Sequence, residues 1–200
     1  MANAITLCRL LLLWWVIFLA YQATPLWQLL NVPLLILVFA SDGLDGYIAR
    51  KRNETSLFGA LFDVAADRIV ELSLWVVLAH LALIPVWVPL LYLARGVLVD
   101  TIRASGAENR QVEPFALMQS RLGRWLVAGR AMRIFYAVLK AVAFCWWMLL
   151  LPLAELVPEI WAHWEWLLTG VGMSLVYLSV VICLARGVPV LVEFLARREA

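Results

Sequence analysis

The sequence predicts an all-α integral membrane protein, a bundle of six transmembrane helices with its active site at the cytoplasmic side. Three observations carry this. Of the 200 residues, 65% are hydrophobic and only 15% charged, against about 25% charged in a soluble domain, and the mean hydropathy is +0.91. The apolar residues form long runs with no strand alternation, and inside lipid a helix satisfies its own backbone groups. The basic residues gather in alternate connections between those runs, which is how membrane orientation is encoded.

The runs place six spans at roughly 7–23, 26–48, 56–80, 84–104, 125–152 and 166–190, each close to the ~20 residues that cross a bilayer. Arg9 precedes the first apolar run, Leu10 to Ala20. No A-x-A cleavage site follows and more spans succeed it, so it reads as a retained first helix rather than a signal peptide. Thr24-Pro25 and Pro85 mark helix breaks, since proline fixes φ and donates no hydrogen bond. No segment has the composition of a linker, so residues 1–200 read as one membrane domain. Cys8, Cys145 and Cys183 are scattered through apolar stretches. Such spacing fits small apolar helix residues, not a disulfide framework or a zinc site.

Charge sets the expected orientation. Arg50, Lys51 and Arg52 fall between spans two and three; Arg103, Arg110, Arg121 and Arg124 fall between four and five. Arg9, Arg186, Arg197 and Arg198 lie towards the chain ends. The opposite connections, 21–28, 80–88 and 153–165, have no Lys or Arg and carry Trp27, Trp87, Trp161 and Trp164, with Glu155 and Glu159. The basic side is therefore read as cytoplasmic, with both termini on it, and the tryptophans as an outer aromatic belt. The tryptophan pairs at 14–15 and 146–147 read as lipid-facing or belt residues, and His80 and His163 as outer interface residues. No nucleic acid is expected as a partner.

The stretch from Ser41 to Asp67 carries the chemistry. Asp42 and Asp45 are three apart at the cytoplasmic end of span two; Asp63 and Asp67 are four apart within span three. Each pair lies on one helical face. A carboxylate at the bilayer centre costs about 2.5–3.5 kcal/mol on insertion scales. Four on adjacent helices also repel one another, so cations must neutralise them. Carboxylate oxygens suit hard divalent ions, and no His or Cys is present to favour zinc. Two carboxylates from each of two helices suggest a two-metal site, which clamps the attacking and leaving oxygens of a displacement at phosphorus. Gly59, one turn before Asp63, and Gly43 and Gly46, around Asp45, admit a ligand close to the backbone. Arg50 follows at the membrane edge, placed to hold phosphate. The competing structural reading, caps or pairs with Arg50 and Arg68, accounts for Asp42 but not for Asp63 and Asp67 inside an apolar helix.

These residues resemble a known signature. Asp42-x-x-Asp45-Gly46-x-x-Ala49-Arg50, eight residues, then Gly59-x-x-x-Asp63-x-x-x-Asp67 is similar to that of the CDP-alcohol phosphotransferase family at all eight fixed positions. The resemblance implies that Asp42, Asp45, Asp63 and Asp67 hold two divalent cations, Mg²⁺ or Mn²⁺, and that Asp67 is also the general base for the acceptor hydroxyl. It implies that Asp45, Gly46, Ala49, Arg50 and Gly59 shape the site for a CDP-linked lipid. The implied reaction transfers a phosphatidyl group from CDP-diacylglycerol to a small alcohol, releasing CMP, in a homodimer surrounded by membrane lipids.

Asn3-Ala4-Ile5-Thr6-Leu7-Cys8-Arg9 and Gly46-Tyr47-Ile48-Ala49-Arg50-Lys51-Arg52-Asn53, followed by Thr55 and Phe58-Gly59-Ala60, resemble the phosphatidylglycerophosphate synthase branch of the family. That implies glycerol 3-phosphate as acceptor and a bacterial inner membrane as location. Asp63-Val64-Ala65-Ala66-Asp67-Arg68 and Gly123-Arg124-Trp125-Leu126-Val127 depart from that branch's usual Asp-Pro-x-Ala-Asp-Lys and Gly-Lys-x-Lys-Thr. Arg95, Arg103, Arg130, Arg133 and Lys140 are the candidate ligands of an acceptor phosphate. The alternative for such arginines is that they set topology and snorkel to headgroups.

Three other readings use the same residues. One keeps the chemistry and changes the acceptor to inositol phosphate, another polyol phosphate or serine. An intramembrane prenyltransferase also uses two acidic stretches, but far apart in a longer chain. A divalent-cation transporter needs acids along a path to the outer side, and the outer halves of the six spans offer only Glu71.

Overall fold

The computed structural model describes residues 2–22, 24–52, 57–108 and 129–196; of these, the side chains of 2, 3, 42–52, 57, 60, 103–108 and 193–196 lie outside the description. Every element among the described residues is a helix: α1 (Ala2–Ala20), α2 (Pro25–Gln28), α3 (Asn31–Arg52), α4 (Leu57–His80), α5 (Trp87–Glu108), α6 (Arg130–Leu156) and α7 (Pro158–Ala196). Among the described residues, a long helix overlaps each of the six expected positions. Two of them, Arg130–Leu156 and Pro158–Val192, are long and apolar enough to cross a membrane; Ala4–Ala20 and Pro25–Ser41 are shorter apolar segments.

The helix ends have local causes. Thr24 is extended (φ −93°, ψ 110°) before Pro25, which takes the first position of α2; the residue before proline is pushed from the α region, and proline's missing N–H is harmless at a helix start. The expected continuous span from 26 is instead broken at Leu29–Leu30. Pro33 gives no hydrogen bond and crowds the carbonyl four residues back, at Leu29. α4 ends in a left-handed residue: Leu83 N–H donates to Leu78 O at 3.0 Å, with Ala82 at φ 57°. This is the closing bond of a Schellman cap, where glycine usually stands.

The expected loop over 153–165 is mostly helix. Only Val157 separates α6 from α7. Pro158 opens α7 with Glu159 in its first turn, a proline start and an acid that favours the helix N-terminus. Tryptophan marks the membrane interface without breaking a helix, which is why composition alone suggested a loop.

The described chain forms two compact units. The first comprises Met1–Pro85 with Ala141–Met173, the second Val86–Lys140 with Ser174–Ala200. In the first, α1 packs on α3 and α4. Its buried residues Thr6, Arg9, Leu13, Val16 and Ala20 recur at three and four, one helical stripe. Leu7, Leu11, Trp14, Trp15 and Phe18 form the exposed one. The ring of Phe144 packs 4.4 Å from that of Trp75 and 6.2 Å from that of Phe39, joining α6 to α4 and α3. Trp147 is 3% exposed and the indole N–H of Trp146 donates to Leu168 O at 3.0 Å. The 146–147 pair therefore packs inside this unit, unlike the lipid-facing expectation, whereas Trp14 and Trp15 are exposed. None of the three cysteines forms a disulfide.

In the second unit α5 and α7 run parallel. Trp87 stacks on Tyr177, the buried Tyr92 hydroxyl donates to Ser179 Oγ at 2.9 Å, and Val99 and Ile102 cluster with Val190. Between apolar helices in lipid, such packing and hydrogen bonds supply the association that water would otherwise drive.

Candidate active site

The parallel run of α1 beside α4 positions the acidic pair. Arg9 meets Asp63 and Asp67 near one end. Tyr21, just past α1, hydrogen-bonds His80 Nδ1 at 2.9 Å at the other. The 17 residues from Asp63 to His80 span roughly 25 Å of helix, so His80 is remote from the carboxylates, as expected. His163 packs edge-on against Trp164.

One nitrogen of Arg9 lies 3.1 Å from Oδ1 of Asp63 and 3.1 Å from Oδ1 of Asp67. The contact to Asp63 is a hydrogen bond across 54 residues of chain. The Arg9 side chain is 1% exposed, those of Asp63 and Asp67 41% and 51%. The cation is thus sealed beneath the carboxylates, and both carboxylates stay open on their other side. Spacing put the two acids on one face, and the fold brings them to one positive charge. Arg68, the partner considered from sequence, instead reaches Glu71 Oε2 at 3.4 Å.

This arrangement fits a divalent ion. The open side of the two carboxylates, away from Arg9, offers oxygen donors that suit Mg²⁺ or Mn²⁺. Among the described residues no three His, Cys, Asp or Glu side chains come together. Asp42, Asp45, Gly46, Ala49 and Arg50 are on α3, but their side chains lie outside the described residues. Gly59 is on α4, half-buried, one turn before Asp63.

The basic candidates belong to the second unit. Arg95 on α5 is half-buried and lies against Gly187 of α7, where a Cβ would stand 3.0 Å from its Cγ. On α6, Arg130 and Arg133 are exposed and Lys140 half-buried. The Lys140 ammonium sits 4.4 Å from the ring centre of Tyr136, and the Arg186 guanidinium 5.3 Å from the same ring. A cation over an aromatic face is held electrostatically, so Tyr136 gathers two positive charges. Arg103 is on α5 with its side chain outside the described residues, as are Arg110, Arg121, Arg124, Arg197 and Arg198 altogether.

Sequence reasoning missed three of these. Arg9 and Arg186, read as flanking charges, are 1% and 8% exposed inside helices, and Tyr136 is 8% exposed. Both stripes of α1 are otherwise largely apolar, so periodicity gave no signal that Arg9 faces inward.

The described residues, all in helices or their connections and with two helices apolar enough to cross a membrane, define a membrane protein in which two carboxylates pair with a buried arginine. Within that class, the chain belongs to the CDP-alcohol phosphatidyltransferase family, which it matches over residues 1–181.

Among its relatives is a CMP-forming cardiolipin synthase of Streptomyces coelicolor, 41% identical over 90 residues, 43% of this chain and 40% of that protein. Others are CDP-diacylglycerol–glycerol-3-phosphate 3-phosphatidyltransferases. That of Bacillus subtilis is 26% identical over 125 residues, covering 62% of this chain and 64% of that protein. That of Rickettsia typhi is 34% identical over 101 residues, 50% of this chain and 57% of that protein. The chain thus spans roughly half the length of the relatives it matches.

Proposed function

We propose that the protein is an integral membrane enzyme that transfers the phosphatidyl group of CDP-diacylglycerol to the hydroxyl of glycerol 3-phosphate, releasing CMP. The observation that carries this is the pairing of Asp63 and Asp67 on one cation, within a chain of this family. Asp42, Asp45, Asp63 and Asp67 would hold two divalent ions. Bound there, Mg²⁺ or Mn²⁺ would neutralise the diphosphate and stabilise charge on the oxygens entering and leaving phosphorus. Asp45, Gly46, Ala49, Arg50 and Gly59 receive the cytidine diphosphate. Asp67 takes the proton from the acceptor hydroxyl. The acceptor oxygen then bonds to the phosphorus that carries diacylglycerol, and the bond from that phosphorus to CMP breaks.

Arg95, Arg103, Arg130, Arg133 and Lys140 take the acceptor's phosphate. The Lys140–Tyr136–Arg186 grouping supports a phosphorylated acceptor, because it brings two cations to one ring and an anion is stabilised beside them. We read the chain as one domain, since the family match runs through both units, and as a homodimer among membrane lipids. Six spans, the basic side and both termini cytoplasmic, in a bacterial inner membrane, agree with the charge pattern. The parallel runs of α1 with α4 and of α5 with α7 support alternate crossings.

Purified protein with CDP-diacylglycerol, Mn²⁺ or Mg²⁺ and a panel of alcohols tests the reading. Glycerol 3-phosphate should give product and CMP. Product only from inositol phosphate, another polyol phosphate or serine would reassign the acceptor. The Streptomyces relative's name favours cardiolipin formation with release of CMP as the second reading, so phosphatidylglycerol belongs in the panel. No CMP from any acceptor, with Mn²⁺ uptake into proteoliposomes, would make the protein a transporter.

A further inference from the structure

We infer that Arg9 is a counter-cation built into the fold: it neutralises Asp63 and Asp67 in the metal-free protein and thereby weakens their hold on a divalent ion. The inference rests on reading those two aspartates as metal ligands.

The geometry is specific. A single guanidinium nitrogen lies 3.1 Å from one oxygen of each carboxylate. Arginine remains protonated at any accessible pH, so this positive charge cannot be switched off by proton loss. The side chain is 1% exposed, on the inward stripe of α1 with Thr6, Leu13 and Val16. A buried guanidinium is tolerated only when paired, and two adjacent carboxylates in an apolar helix are tolerated only when neutralised. Each side therefore stabilises the other before any metal arrives, and the helices can pack without it.

The same charge opposes a second cation. A fixed positive charge beside a carboxylate repels any second cation brought to it, and a divalent ion is repelled twice as strongly as a monovalent one at the same distance. Orientation of the carboxylates by Arg9 works the other way, but losing an outer-shell contact costs only about 10- to 100-fold in metal affinity. The charge acts on both aspartates at once, so repulsion is the larger effect.

The test is Mn²⁺ binding to the full-length protein in nanodiscs, without substrate, followed by loss of the free Mn²⁺ paramagnetic resonance signal. Arg9→Gln should bind Mn²⁺ about tenfold or more tightly than wild type. Its metal-free melting temperature should be lower, and Mn²⁺ should raise it further than in wild type, because a tighter ligand stabilises more. Arg9→Lys, which keeps the charge, should stay near wild-type affinity. Unchanged or weaker Mn²⁺ binding in Arg9→Gln, with wild type binding normally, overturns the inference alone. No Mn²⁺ binding in wild type overturns it together with the metal-ligand reading. Should Arg9→Gln not fold, the neutral background decides. In Asp63→Asn/Asp67→Asn, adding Arg9→Gln should be tolerated, because the two carboxylates that need its charge are gone; a triple variant that also fails to fold overturns the inference.

Discussion

Gly172 of α7 lies so close to Trp147 of α6 that a Cβ built on it would stand 2.8 Å from Cζ2 of that indole, and 3.1 Å from Cδ1 of Trp146. The Trp147 ring is buried and cannot swing away, so the helices would have to part. Gly172→Ala should therefore destabilise the fold by about 1–3 kcal/mol, seen as a lower melting temperature in detergent. Gly170, two residues earlier, has nothing within 4 Å of its Cβ position. Gly170→Ala should hold or raise stability, by up to about 1 kcal/mol of helix propensity. Equal shifts for the two would show that α6 and α7 do not meet at Gly172.

Ala82 offers the opposite experiment. It sits at φ 57° in the cap that ends α4, where a Cβ costs about 1–2 kcal/mol per residue. Ala82→Gly should stabilise the protein by about 1 kcal/mol, raising its melting temperature. A fall would mean that the left-handed cap does not form.

Asp67 is expected to act on the proton of the acceptor. Asp67→Asn keeps the shape of the side chain and removes the base, so CMP release should fall by about 100-fold or more. Binding of CDP-diacylglycerol, measured by equilibrium dialysis of a labelled short-chain analogue, should remain within a few-fold of wild type. Undiminished turnover would remove Asp67 from the chemistry.

Gly187 lets Arg95 lie along α7. A Cβ there would approach Arg95 Cγ at 3.0 Å and Nε at 3.2 Å, and the flexible side chain would move. If Arg95 holds the acceptor's phosphate, Gly187→Ala removes a charge-assisted contact of about 1.5–3 kcal/mol. The KM for glycerol 3-phosphate should rise about tenfold, while kcat and the KM for CDP-diacylglycerol change little. A fall in kcat with the acceptor KM unchanged would argue against that role.

Much of the helix map was legible because apolar runs and prolines are local. Thr24-Pro25 starts a helix where the turn was expected, and Pro85 falls between α4 and α5. The connection at 153–165 was misread because Trp161, Trp164 and Glu159 report contact with an interface or water, not the backbone's conformation. Their helix continues through them. The burial of Trp147 was invisible for a related reason: a ring against Gly172 and a ring against lipid have the same composition.

The i,i+4 spacing of Asp63 and Asp67 alone put both carboxylates on one face, since 3.6 residues per turn leave no other choice. The eight-residue signature likewise stood complete in the linear chain. Which cation answers those acids was decided only by the tertiary structure. Arg9 is 54 residues away, on a helix whose inward and outward stripes are both apolar. Hydrophobic periodicity reveals a buried face only where water makes the other face polar, and lipid does not. Packing α1 against α4 turned an apparent flanking charge into the buried partner of two aspartates.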